Sequence, residues 1–147
     1  MFHSNPGPKS NPQRGFTLLE LLVVLVILGL LAAVAGPRVM KYVSGAKSDT
    51  AKLQVEELSA ALDMYKLENG RYPTSQEGLQ ALVEAPPGAT AWNGPYLKKK
   101  AVPKDPWGEN YHYAAPGQHN TATFDLYSLG ADKREGGEGE DKDIVNW

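Results

Sequence analysis

Two groups of residues in this 147-residue chain carry chemistry that their surroundings must accommodate. Glu20 is a carboxylate inside the otherwise apolar stretch from Phe16 to Gly36. A charge within such a span costs ~2.5–3.5 kcal/mol on insertion scales. It therefore either snorkels to an interface or pairs with a cation at the same depth. Its place in the first turn of the span suits it, because the helix dipole favours negative charge there. The second group is the segment 130–143, GADKREGGEGEDKD. It holds the acids Asp132, Glu135, Glu138, Glu140, Asp141 and Asp143 and the bases Lys133, Arg134 and Lys142. Its glycines supply turns and few packing atoms, so burial alone does not order it. Clustered hard oxygens favour Ca²⁺ over transition metals. The EF-hand pattern is absent, since Arg134 and Gly136 stand where ligands would be. On these residues alone, a calcium-holding loop and a disordered acidic loop both stay open.

Other reactive groups form no constellation. His3, His112 and His119 have no metal-ligand spacing, and His112, between two tyrosines, reads as strand surface. Ser128 lacks a Gly-x-Ser-x-Gly turn, and the Gly136–Gly139 run lacks the Lys-Ser/Thr of a phosphate loop. The absence of cysteine excludes a disulfide, a thiolate zinc site and a thiol nucleophile. A net charge of −2 gives no basic field for nucleic acid. Lys98-Lys99-Lys100 reads as a solvated edge, and Trp92, Trp107 and Trp147 as packing residues. The reading is of a non-enzyme with no catalytic residues.

The elements that position these groups divide between two solvents. Mean hydropathy is −0.40, yet residues 21–35 read LLVVLVILGLLAAVA. At ~1.5 Å per residue the Phe16–Gly36 stretch reaches ~31 Å, about one bilayer hydrocarbon thickness. Residues 1–15 carry three prolines, Lys9 and Arg14, which make no core and point to the cytoplasm by the positive-inside rule. Ala51, Val55, Leu58, Leu62 and Tyr65 form one apolar helical stripe, and Asn69-Gly70 is a stop signal. One helix is therefore predicted from about Phe16 to Glu68, with a kink or loosened turn near residues 33–38 at Pro37. Thr74-Ser75-Gln76-Glu77 is a capping box predicting a short helix over about 75–84. Asp105-Pro106-Trp107-Gly108 and Pro116-Gly117 are turns. Tyr111–Tyr113 and Thr123–Leu129 alternate as strands, joined by a third near 96–102 or at the C-terminus. The fold class is α+β, a long N-terminal helix packed on a small antiparallel sheet.

Arg14-Gly15-Phe16-Thr17-Leu18-Leu19-Glu20 resembles the processing site of type IV pilins and pseudopilins. The resemblance implies a prepilin peptidase that cuts between Gly15 and Phe16, N-methylation of Phe16, and assembly through Glu20 and the amine of a neighbouring Phe16. The organisation it implies is a leader at 1–15, a membrane and assembly helix at 16–36, and a periplasmic head at 37–147. Loss of Lys9 and Arg14 would leave 13 Lys+Arg against 17 Asp+Glu, a charge of −4. Asn69–Thr74, Gly78–Leu82, Gly94–Leu97, Pro103–Gly108 and Ser128–Asp132 narrow the resemblance to the major pseudopilins of the type II secretion system. Type IV pilins usually close a C-terminal loop by a disulfide, for which this chain has no cysteine. A plain membrane-anchored periplasmic binding protein is the third reading.

Several expectations follow from that family. The chain would be an inner-membrane, single-pass subunit that homopolymerises into a periplasmic pseudopilus and helps export folded proteins across the outer membrane. Its partners would be its own copies, minor pseudopilins, and the assembly platform with its ATPase. The family also implies bound Ca²⁺ in the acidic loop. The ligands would be the Leu129 carbonyl and the Asp132 and Asp143 side chains, with Asp141 and Glu140 as weaker candidates.

Overall fold

The computed structural model describes residues 15–147. The leader reading therefore lies outside the described residues, Gly15 excepted. The polypeptide packs as two units, one ending at Val39 and the other spanning Met40–Trp147. A single helix, α1 (Leu18–Asn69), contributes to both. Thr17 caps it: its Oγ1 accepts the Glu20 N–H at 3.1 Å, and its carbonyl accepts the Leu21 N–H. The loosened turn expected at Pro37 is not found, and α-helix runs unbroken through residues 33–38. Proline removes only one donor there, and its fixed φ is itself close to helical. At the other end Gly70 takes φ 77° and its N–H reaches the Lys66 carbonyl. Asn69 Nδ2 donates to the Tyr65 carbonyl and to the Tyr96 hydroxyl, which in turn donates to Glu68 at 2.6 Å. The stop signal is thus locked by a side-chain network.

Within Met40–Trp147, the stripe Ala51, Val55, Leu58, Leu62 and Tyr65 is buried, with Ala61 beside it. It joins Leu79, Leu82, Leu97, Tyr111, Phe124, Leu126 and Ile144 in one apolar cluster. The expected helix over 75–84 is instead a 3₁₀ turn, Leu79–Leu82. Its capping box does form: Thr74 Oγ1 accepts the Glu77 N–H, and Glu77 Oε2 accepts the Thr74 N–H at 2.8 Å. Gly78, at φ 61° and ψ −167°, then takes the backbone out of helical space.

The sheet has three antiparallel strands in the order β1 (His112–Ala114), β2 (Asp125–Ser128), β3 (Ile144–Val145). His112 pairs with Tyr127, Tyr113 with Leu126, and Ser128 with Ile144. The third strand is the C-terminal one; residues 96–102 are not a strand. Asn146 prolongs the ladder, since its Oδ1 accepts the Leu126 N–H while its Nδ2 donates to the Phe124 carbonyl. On the opposite side of β2 from Leu126, Asp125 is buried beneath residues 117–120. Its carboxylate accepts the N–H groups of Gln118, His119 and Asn120 at 2.7–2.9 Å. A Cβ at Gly117 would lie 2.3 Å from Asp125 Oδ1, so that position needs glycine.

Candidate functional site

The N-terminal half of α1 offers chemistry by exposure. Its most apolar 18-residue window has a mean hydropathy of 3.0 and none of it is buried. By length and composition the helix can cross a membrane. Leu18, Leu22, Leu25, Leu28 and Leu31 are each more than half exposed. Such a continuous apolar surface needs lipid or other helices around it. Glu20 lies exposed in the first turn, and its carboxylate makes no ion pair among the described residues. Phe16 is 86% exposed just before the helix. The Thr17-x-x-Glu20 spacing is a cap signal in its own right, and it places Glu20 at the third helical position.

The acidic segment 130–143 has a defined conformation built from turns and a 3₁₀ turn at Gly139–Asp141. Burial supplies little of that order, because most of its residues are exposed. Hydrogen bonds replace it. The Ala131 N–H meets the Glu140 carbonyl at 3.0 Å, which brings the two ends of the loop together. The Asp143 N–H meets the Gly136 carbonyl, and Asp143 Oδ2 accepts the Gly136 N–H at 2.9 Å. Gly130, at φ 70°, lies where a Cβ would be 2.8 Å from the Glu140 carbonyl oxygen. Glycine alone permits that approach.

The five residues expected to hold a cation differ in what already engages them. Asp132 Oδ1 accepts the Arg134 N–H at 3.0 Å in a local turn. Asp143 Oδ1 is buried with no hydrogen-bond partner among the described residues. Leu129 lines a cavity of about 220 Å³ with Asp105, Glu109, His112 and Lys133. Asp141 is exposed, and its carbonyl oxygen lies 2.4 Å from where a Gly137 Cβ would be. Glu140 Oε1 is occupied, accepting the Trp107 indole N–H at 3.0 Å with Lys47 Nζ at 3.5 Å. The Trp107 bond foremost, with Lys47 adding, holds the Glu140 carboxyl below its ordinary range. Among the described residues no three His, Cys, Asp or Glu side chains gather as a metal cluster. A cation here would draw part of its shell from carbonyls. The oxygen-only donor set and the unpartnered Asp143 oxygen fit a hard cation.

Among the described residues, His112, His119 and Ser128 make packing and hydrogen-bond contacts. His112 stacks on Tyr127 across the strand pair at 4.8 Å, and His119 stacks on Trp147 at 4.0 Å. Ser128 Oγ donates to the buried Asp105 at 2.6 Å, which also accepts the N–H groups of Trp107 and Glu109. Asp105 therefore pins the 105–108 turn to β2. Nothing local in the sequence marks this pair, which is 23 residues apart. Lys98, Lys99 and Lys100 are exposed and make no ion pair among the described residues.

Comparison with known proteins identifies the family to which the chain is similar. The family described as type II secretion system (T2SS), protein G matches residues 38–147, and the prokaryotic N-terminal methylation motif matches residues 10–36. The type II secretion system core protein G of Pseudomonas aeruginosa is 53% identical over 139 residues, covering 92% of this chain and 95% of that protein. That of Vibrio cholerae is 46% identical over 142 residues, covering 95% and 94%. The crystal structure of the major pseudopilin from the type 2 secretion system of enterohaemorrhagic Escherichia coli superposes with a TM-score of 0.60. It is 35% identical, over 74% of this chain and 92% of that one. The pilin-like α+β architecture is thereby shared. With its methylation motif, its apolar stalk and its small sheet, this chain belongs to the type II secretion system protein G family of structural pseudopilins.

Proposed function

We propose that the chain is the filament-forming subunit of a periplasmic pseudopilus that helps move folded proteins across an outer membrane. A prepilin peptidase cuts between Gly15 and Phe16, and the new Phe16 amine is methylated. Until assembly, the helix stays in the inner membrane with residues 37–147 in the periplasm. Assembly exchanges lipid contacts for contacts with the helices of other copies. Dispersion and packing drive that exchange, since lipid tails are as apolar as leucine. Glu20 then meets the Phe16 amine of a neighbouring copy, which neutralises a charge the apolar bundle would otherwise disfavour. Minor pseudopilins and a membrane platform with its ATPase complete the machine. The chain supplies structure, and no catalytic residue of its own takes part.

One observation carries this reading: an apolar helical surface, wholly exposed, with a single carboxylate at its start. Glu20→Ala should leave leader cleavage largely intact and sharply reduce polymer recovered from cells. Polymer at the wild-type level would count against the pairing.

The acidic loop is proposed to hold Ca²⁺ through the Leu129 carbonyl and the carboxylates of Asp132 and Asp143. Asp141 is an additional donor through side chain or carbonyl. The ion would supply charge neutralisation to a loop that has little burial to hold it. The unpartnered Asp143 oxygen supports this assignment.

A further inference from the structure

Of the side-chain links between the acidic loop and the rest of the head, one differs in kind from the others. Lys133 reaches Glu109 at 2.6 Å, but both side chains are about half exposed. Solvated pairs of this sort contribute little. Glu140 is better shielded, its side chain being 34% exposed. It receives the indole N–H of Trp107 and faces Lys47 of α1. Trp107 is half-buried, and its backbone N–H is fixed by Asp105 Oδ1 at 3.1 Å. The indole is thus aimed from a rigid turn, and its single donor has Glu140 as its acceptor. The backbone of residue 140 is fixed as well, by the Ala131 N–H and by the close approach of Gly130.

We infer that Glu140 is the latch of the acidic loop, a positioning residue whose carboxylate, held by Trp107 and Lys47, keeps the loop closed before any cation binds. The latch joins three elements: the loop end, the 105–108 turn, and the helix at Lys47. Its consequence for calcium is preorganisation. A loop already closed would leave less ordering to be done when a cation draws Leu129, Asp132 and Asp143 together. That consequence rests on the calcium reading above, whereas the latch itself does not.

The test uses the full-length chain in detergent with excess EDTA, read by hydrogen exchange of peptides spanning 130–143. Glu140→Ala should speed exchange at the Ala131 amide and its loop neighbours about tenfold, the equivalent of one charge-assisted hydrogen bond. Glu140→Gln keeps an acceptor for the indole but loses its charge, and should fall between wild type and Glu140→Ala. Trp107→Phe removes the N–H while keeping an aromatic ring and the solvated Lys47 pair, and should reproduce most of the Glu140→Ala effect. Peptides covering Leu58–Tyr65 should be unchanged in all three, which separates loop opening from unfolding. Wild-type loop exchange in both Glu140→Ala and Trp107→Phe would overturn the latch.

Calcium titration then separates the two readings. The latch predicts that Glu140→Ala binds one ion about tenfold more weakly, while Glu140→Gln shows a clearly smaller loss. Equal loss in both variants would make Glu140 a ligand and overturn the assignment. A wild-type chain that takes up no calcium would defeat the calcium reading and leave the EDTA result to decide the latch.

Discussion

Replacing Asp125 by Asn tests whether one buried carboxylate organises the outer side of the sheet. Its side chain is 5% exposed. Burial alone would raise its pKa. The N–H groups of His119 and Asn120, the His119 ring and the Gln118 N–H overcome that and hold it at about 2, below the ordinary 3.8. That difference corresponds to about 2 kcal/mol of stability. The sign follows from the depressed value: the contribution is complete above pH ~4 and disappears as pH falls through about 2. An asparagine keeps one acceptor oxygen and turns an NH₂ towards the donors that Asp125 satisfies with both oxygens. At least one buried N–H loses its partner, so the cost at neutral pH is about 2–3 kcal/mol. For a unit of this size that lowers Tm by roughly 10 °C. Circular dichroism melts of the full chain in detergent, taken from pH 7 to pH 2, provide the measurement. The gap between Asp125→Asn and wild type should be widest at pH 7 and should narrow below pH 4. A gap under about 2 °C at pH 7, or one that stays constant down to pH 2, would refute the reasoning.

Glu77→Ala removes a capping partner and an Arg71 pair with contacts at 2.7 and 2.8 Å. Because Arg71 is half exposed, the cost is only about 1 kcal/mol. Arg71 foremost, with the Thr74 N–H adding, holds the Glu77 carboxyl at about 2, so the deficit seen in melts should be present above pH ~4.5 and vanish near pH 2. Asp132→Ala should abolish any rise in Tm on adding calcium to chelated protein, and identical wild-type melts in calcium and in EDTA would remove the premise. Glu135→Gln with Glu138→Gln should leave Tm within about 1 °C, because both residues are exposed and neither side chain makes an ion pair or hydrogen bond among the described residues.

The readable parts of this fold are those whose cause is local or periodic. The stripe from Ala51 to Tyr65 follows from a 3.6-residue period, and it is the buried face of α1. Gly70 ends the helix because few other residues accept a positive φ. The capping box at Thr74–Glu77 is likewise local, and it forms. The helix predicted behind it failed at one dihedral pair, that of Gly78, which the residue type permits but does not announce. The loosened turn expected at Pro37 is absent, since a helix can absorb one lost donor. Long-range polar pairs were not legible at all. Asp105 with Ser128, and Asn146 with Phe124 and Leu126, meet only after the chain has folded.

The acidic loop shows why charge counting stops short of a site. Its six acids look alike in composition, yet the fold gives several of them different work. Asp132 shapes its own turn, and Glu140 ties the loop to Trp107 and Lys47. Glu135 and Glu138 face solvent. Asp143 fixes Gly136 with one oxygen and leaves the other buried and unpartnered. A buried oxygen without a donor is unfavourable, so under the proposed calcium reading the Asp143 oxygen is the one expected to gain most from a cation. Under the proposed assembly the same logic would govern Glu20, a carboxylate with no ion-pair partner among the described residues, for which another copy would supply one. In both proposals the unmet charge, more than the number of acids, carries the assignment.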